Sequence, residues 1–229
     1  MFQRLVRASL ALTLVGVAAF AGAQKANVKI SAAYGGGGGA TANTYLKDYV
    51  ELLNTGTSSA DLTNTSIQYG SATGNYGSSA SNIYAFPAST TIPAKSYLLI
   101  ATGSVGTASP SLTMPTPDIS TTNMNMSGTS GKVAFVDQAA ALNTKPSLPN
   151  ALIIDAVSWG AADNAEGGAA TNGGAALVAT QVNLRNNLGQ TDTDNNNADF
   201  TVATASAGNA PRNSSSTPVP VTVSSFMVD

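Results

Sequence analysis

The sequence predicts an all-β protein, a sandwich with long loops. Two observations predict it. Beyond the N-terminal segment the apolar residues alternate or come in short runs, the period of strands rather than of amphipathic helices. Gly, Asn, Pro and Ser punctuate those runs at the spacing of a sandwich.

The elements follow in order. Arg4 and Arg7, an uncharged apolar run over residues 8–20 and Ala21-Gly22-Ala23 have the three-part layout of a secretory signal peptide, residues 1–23, cleaved before Gln24. The run is short for a spanning helix, and no second one follows, so the expectation is a secreted or cell-surface protein not integral to a membrane. Residues 28–34 form the first strand, with Val28, Ile30 and Ala32 on one face. Gly35 to Gly39 make a permissive loop; without the G-x-x-x-x-G-K-S/T pattern or a following helix, they do not read as a phosphate cradle. Residues 45–53 alternate Tyr49, Glu51 and Leu53 against Val50 and Leu52, and Asn54-Thr55-Gly56 is turn chemistry. Further strands are expected over residues 62–69, 82–86, 97–101, 132–137, 152–159, 178–185 and 199–204. Ile153, Asp155 and Val157 should share one face of the 152–159 strand. A long Pro-containing loop covers 102–122. Met124 and Met126 alternate like a strand edge, and Trp159 is expected as a core anchor. The domain should span residues 24–213. Residues 214–229 read as a linker and a C-terminal strand with Val219, Val221 and Val223 on one face. Two readings of that strand stay open: the edge of the same domain, or a strand donated to another copy.

Composition excludes whole classes of chemistry. There is no His and no Cys, so thiolate or imidazole zinc sites, Ser-His-Asp and Cys-His catalysis, and disulfides are all impossible. After the signal peptide, eight basic residues stand against twelve acidic ones, a net charge of −4. No two of the basic residues are adjacent, which suits an electrostatic nucleic-acid binder poorly. Charged residues make up only 10% of the chain, so a neutral polar face of Ser, Thr, Asn and Gly must keep it in solution.

Four stretches resemble the bacterial lamin tail domain (LTD) family: VKISAAYGGGGGATANTYLKDYVELLNTG, MPTPDISTTNMNMSGTSGKVAFVD, IIDAVSWG and LRNNLGQTDTDNNNADFTVATASAGNAPRNS. Their order covers nearly the whole mature chain. The resemblance implies an immunoglobulin-like sandwich on a secreted or surface protein, of a subtype often found N-terminal to an extracellular nuclease of the endonuclease/exonuclease/phosphatase type. Relatives of that subtype often carry a Cys pair; here Asn164 and Ala165 occupy the region of one member. The resemblance carries over no catalytic residue. Glu51 and Asn54 match the family's strand-end acid and turn Asn, and Arg185 with TDTDNNNADF matches its closing motif.

The candidate metal residues are Asp192, Asp194 and Asn196. Alternating Asp and Asn supply the oxygens that calcium takes. The pattern then departs from a calcium loop, with Asn197 where the tight-turn Gly belongs and Ala203 where the bidentate Glu belongs. The preferred reading is Asx-turns that cap their own backbone, with Arg185 pinning the loop through one of the carboxylates; calcium is the lesser alternative, and no other cofactor is expected. Asp48, Glu51, Asp155, Asp163 and Glu166 form no glycosidase motif. Asp155, in an apolar strand, calls for a buried partner. The chain therefore reads as a non-enzyme, a secreted binding or structural module for adhesion or assembly. Its expected partners are proteins or glycans at the cell surface, or other copies of itself. The alternative is an accessory module that supports an extracellular nuclease or nucleic-acid binding.

Overall fold

The computed structural model describes residues 25–38, 44–106 and 112–220. The expected signal peptide lies outside the described residues, as does the C-terminal strand beyond residue 220.

Twelve strands are described: β1 (Val28–Tyr34), β2 (Asp48–Asn54), β3 (Ala60–Asp61), β4 (Ser66–Ser71), β5 (Ile83–Ala85), β6 (Thr91–Ile92), β7 (Tyr97–Thr102), β8 (Ile119–Ser120), β9 (Gly131–Val136), β10 (Ile153–Trp159), β11 (Gln181–Arg185) and β12 (Phe200–Thr204). A six-stranded sheet runs β12-β11-β1-β2-β7-β8, a four-stranded sheet runs β10-β9-β4-β5, and β3 pairs with β6. All pairings are antiparallel except β7–β8. Ile30, Val50, Leu52, Leu98 and Ile100 from the larger sheet meet Val133, Phe135, Val157 and Trp159 from the smaller one. This is the predicted all-β sandwich.

β2 follows its alternation. Val50 and Leu52 enter the core, while Tyr49 joins Tyr34, Tyr45 and Leu99 on the outer face. That face is also buried, because Leu112, Met114 and Ala205 cover it. Every residue of β2 is therefore inaccessible, Glu51 included, and both faces select for bulk.

β1 and β10 do not follow theirs. Each carries a register shift, between Ile30 and Ala32 and between Ile153 and Asp155. One extra residue reverses which face the rest of a strand presents. So Ala33, not Ala32, joins Val28 and Ile30 in the core, and Ile154, not Ile153, joins Val157.

Met124 and Met126 are buried in the core but lie in no strand, Met124 having a left-handed φ of 59°. The short strand of that region is β8. Trp159 is the anchor its composition suggested: 1% exposed, stacked on Tyr69, its Nε1 donating to Ser127 O at 2.9 Å. The glycine run serves close packing. A Cβ on Gly36 would fall 1.9 Å from Ala179 O, and one on Gly37 would fall 2.2 Å from Asp48 N. Among the described residues, no helix is long and apolar enough to cross a membrane.

Candidate functional site

The two bulged strands, β1 and β10, lie against each other, and a buried ionic cluster of the described residues joins them. Asp155 of β10 is 1% exposed. Its Oδ2 accepts from Ile30 N at 2.5 Å, and its Oδ1 from Arg185 Nη2 at 2.6 Å. One carboxylate thus ties the small sheet to β1 and β11 of the large one.

Four of the five N–H donors of Arg185 are matched. Nε donates to Ile30 O at 2.8 Å, and Nη1 to Thr191 O at 3.0 Å and Asp192 Oδ1 at 3.1 Å. Asp199 Oδ2 lies 3.7 Å away, and the guanidinium stacks 4.5 Å from the Phe200 ring centre. The planar fork suits several oxygens at once.

The Asp/Asn run wraps this arginine. Asp192 turns its other oxygen onto Lys29 Nζ at 2.6 Å. Asp199 accepts from Thr193 N, Thr193 Oγ1 and Asn195 N, an Asx-type closure of the loop. A single helical turn, α1 (Asn196–Asp199), follows, with Asn195 as its N-cap. Asp194 sits at a left-handed φ of 54°. Asn196 points elsewhere: its amide accepts from Ser158 N at 2.9 Å and donates to Ala156 O at 2.8 Å and Glu166 Oε2 at 3.0 Å. Glu166 Oε1 accepts from Ala156 N at 3.1 Å. Two side chains therefore do for edge strand β10 what a neighbouring strand would do.

Asp192 and Asn196, two of the three calcium-loop positions, thus serve different partners. The described acidic oxygens that come within 4.8 Å of one another belong to Asp155, Glu166 and Asp192. Each already accepts from a donor of the chain, and a cation entering there competes with Arg185 and Lys29. Burial first, then the Asp155 carboxylate, pushes the Glu166 carboxyl up to about 8. For Asp155, burial outweighs Arg185 and Lys29, and the direction is also upward. Burial opposes ionisation of Asp192 too, but its bond to Lys29 and the charges of Lys29 and Arg185 hold it below the usual range.

A second cluster fastens the segment that follows β12. Glu51, 1% exposed, accepts from Ser31 Oγ at 2.6 Å and from Arg212 Nη2 at 2.7 Å and Nε at 3.1 Å. Its Oε2 accepts from Arg212 N. Arg212 stacks on Tyr97, 4.0 Å from the ring centre. Further along, Val219 N donates to Lys95 O at 2.9 Å, and its side chain packs on Leu53 and Tyr97. Residues 205–219 are thereby strapped across the outer face of the large sheet. Arg212→Ala is expected to free the strap without opening the core. Hydrogen exchange should speed up for amides of residues 206–219 and stay unchanged in β9 and β10.

The remaining cations also turn inward. Lys25 meets Asp137, Lys132 and Lys145 share Asp163, Lys95 bonds Thr55 O, and Lys47 bonds Ser120 Oγ and Thr121 O. Asn54 bonds Ser58 O, Ile92 O and Pro93 O through its amide nitrogen. Asn164 bonds Tyr76 Oη and Pro146 O. The carboxylates weighed as a glycosidase pair are spent in the same way. Asp48 accepts from Gly37 N and Met126 N, and Asp163 holds two lysines.

The family model of the Lamin Tail Domain matches residues 21–199, most of the chain and the whole of the Arg185 cluster. The chain belongs to the lamin tail domain family. The lamin tail domain is a non-catalytic immunoglobulin-like module, in keeping with a site whose acids and bases neutralise one another. Among solved structures, the chain is similar to a DUF4876 family protein from Bacteroides thetaiotaomicron. The identity is 13% and the TM-score 0.51, with 83% of this chain and 75% of that one covered. At that identity the likeness is one of fold. No curated protein matches. The Arg185 pairing was foreseeable for this lamin tail domain, since a lone Arg beside an Asp/Asn run and an Asp in an apolar strand both ask for partners. The Arg212–Glu51 pair, 161 residues apart, carried no local signal.

Proposed function

We propose that this lamin tail domain is a secreted, non-catalytic structural module that assembles at the cell surface or in the extracellular matrix through protein contacts, among them contacts between its own copies. The observation that carries this reading is that all eight basic residues of the mature chain are bonded to acceptors of the same chain. No free cationic stripe is left for phosphates among the described residues, and counterion release is what drives nucleic-acid binding. Glycan platforms need accessible aromatic rings. Among the described residues no Tyr, Phe or Trp is exposed, and Tyr84 alone is half-buried. Protein contacts are the class that asks for neither. The test is capture on a surface carrying the immobilised mature chain. Free mature chain is expected to be retained, and duplex DNA at low salt is not. Retention of DNA that falls steeply with salt, without self-capture, would replace this reading with the nuclease-accessory one.

A further inference from the structure

Outside the Arg185 cluster and the strap, the outer side of the large sheet carries a cavity of about 330 Å³. Leu46, Ala101, Leu112, Met114 and Pro117 line it, with Lys47 at its rim. The volume is at the low end for a ligand pocket and suits one large apolar side chain. Among the described residues Lys47 forms no salt bridge, its Nζ bonding Ser120 Oγ at 3.2 Å and Thr121 O at 2.8 Å. Ser120 belongs to β8, the outermost strand of the sheet.

The C-terminal residues have the complementary chemistry. Residues 213–219 run along β7 from its middle towards its start. Asn213 Nδ2 bonds Thr116 O at 2.9 Å. Ser214 N bonds Asp118 Oδ2 at 3.0 Å, the same oxygen that accepts from Leu99 N, and Val219 N reaches Lys95 O at 2.9 Å. The pocket lies at the other end of β7, beside Ala101. The chain therefore passes Pro220 heading away from its own pocket. Residues 221–229 still follow, and they include Phe226-Met227-Val228-Asp229: a large ring, two further apolar side chains and a carboxylate. Extended, nine residues reach about 30 Å.

We propose that residues 221–229 of one copy dock on a second copy of this chain, Phe226 entering the pocket and Asp229 approaching Lys47. This inference rests on the assembly reading above and names its contact. The contact is head-to-tail, so it propagates into rings or filaments, and it has the form of strand donation beside an open sheet edge.

Complementation tests it in the mature chain, residues 24–229, by light scattering across a concentration series. The wild type is expected to associate. Phe226→Ser breaks only the donor and Met114→Glu only the acceptor, so each alone should be monomeric. An equimolar mixture holds one intact donor and one intact acceptor, and should form a dimer and nothing larger. Thr113→Glu, at an exposed rim residue, replaces Met114→Glu if that variant does not fold. A mixture that stays monomeric, or a single variant that associates like the wild type, overturns the contact. If the wild type and all variants associate alike, assembly stands and this contact falls; a monomeric wild type removes both.

Discussion

Arg185→Leu is expected to cost the fold about 3–5 kcal/mol, because removing one partner of a buried ion pair leaves the other uncompensated. Here three carboxylates lose their common cation: Asp155, Asp192 and Asp199. Two backbone carbonyls, of Ile30 and Thr191, lose a donor as well. Against a total stability of roughly 5–15 kcal/mol for a single domain, the urea midpoint at neutral pH should fall by a large fraction. Lys29→Met removes the pair with Asp192 and the longer-range attraction to Asp155 but no buried hydrogen bond to Asp155, and should cost much less. Equal losses for the two variants would contradict the keystone role of Arg185.

The second large effect is on pH dependence. Burial raises Asp48 to about 6, outweighing its bonds from Met126 N and Gly37 N and the charge of Lys47. Glu166 is raised to about 8 by burial and Asp155. Raised carboxyls bind protons more tightly in the folded state than in the unfolded one. Their contribution is complete below the ordinary carboxylate range and is lost as pH rises through about 6 for Asp48 and about 8 for Glu166. At one pKa unit to about 1.4 kcal/mol, the loss amounts to a few kcal/mol for each group. Asp163, held down first by Lys145, and Asp192 act in the opposite sense. Their contribution is present above the ordinary range and lost on acidification. Stability should therefore peak on the acidic side, at roughly pH 4, and decline through pH 5 towards pH 9. Urea midpoints measured across that range check it. A profile that climbs from pH 5 to pH 8 would contradict the burial of both groups.

How much of this was legible in the sequence depended on locality. In β2 the pattern of Tyr49, Glu51 and Leu53 against Val50 and Leu52 gave the faces correctly, because strand periodicity is a property of neighbouring residues. In β1 and β10 the same logic failed after one residue. A bulge is a single insertion relative to a partner strand, and nothing in Ser31 or Ile154 announces it. Two-residue strands such as β3, β6 and β8 are too short to show a period at all. Within the site, Asp155 and Arg185 were readable as residues that need partners. Glu166 was not, because it lies in a Gly/Ala-rich loop and its role, bonding Ala156 N on the edge of β10, exists only after folding. The Arg212–Glu51 pair joins the two ends of the domain, and only the sandwich brings them together.

On the proposed reading, the ionic groups of this lamin tail domain are structural and its copies associate mainly through apolar and backbone contacts. Light scattering on the mature chain, with calcium and with chelator, tests that most directly. The account predicts a species that grows with protein concentration and is the same in both conditions. A monomer at every concentration, or assembly that appears only with calcium, would contradict it, the latter by returning Asp192, Asp194 and Asn196 to the role of cation ligands.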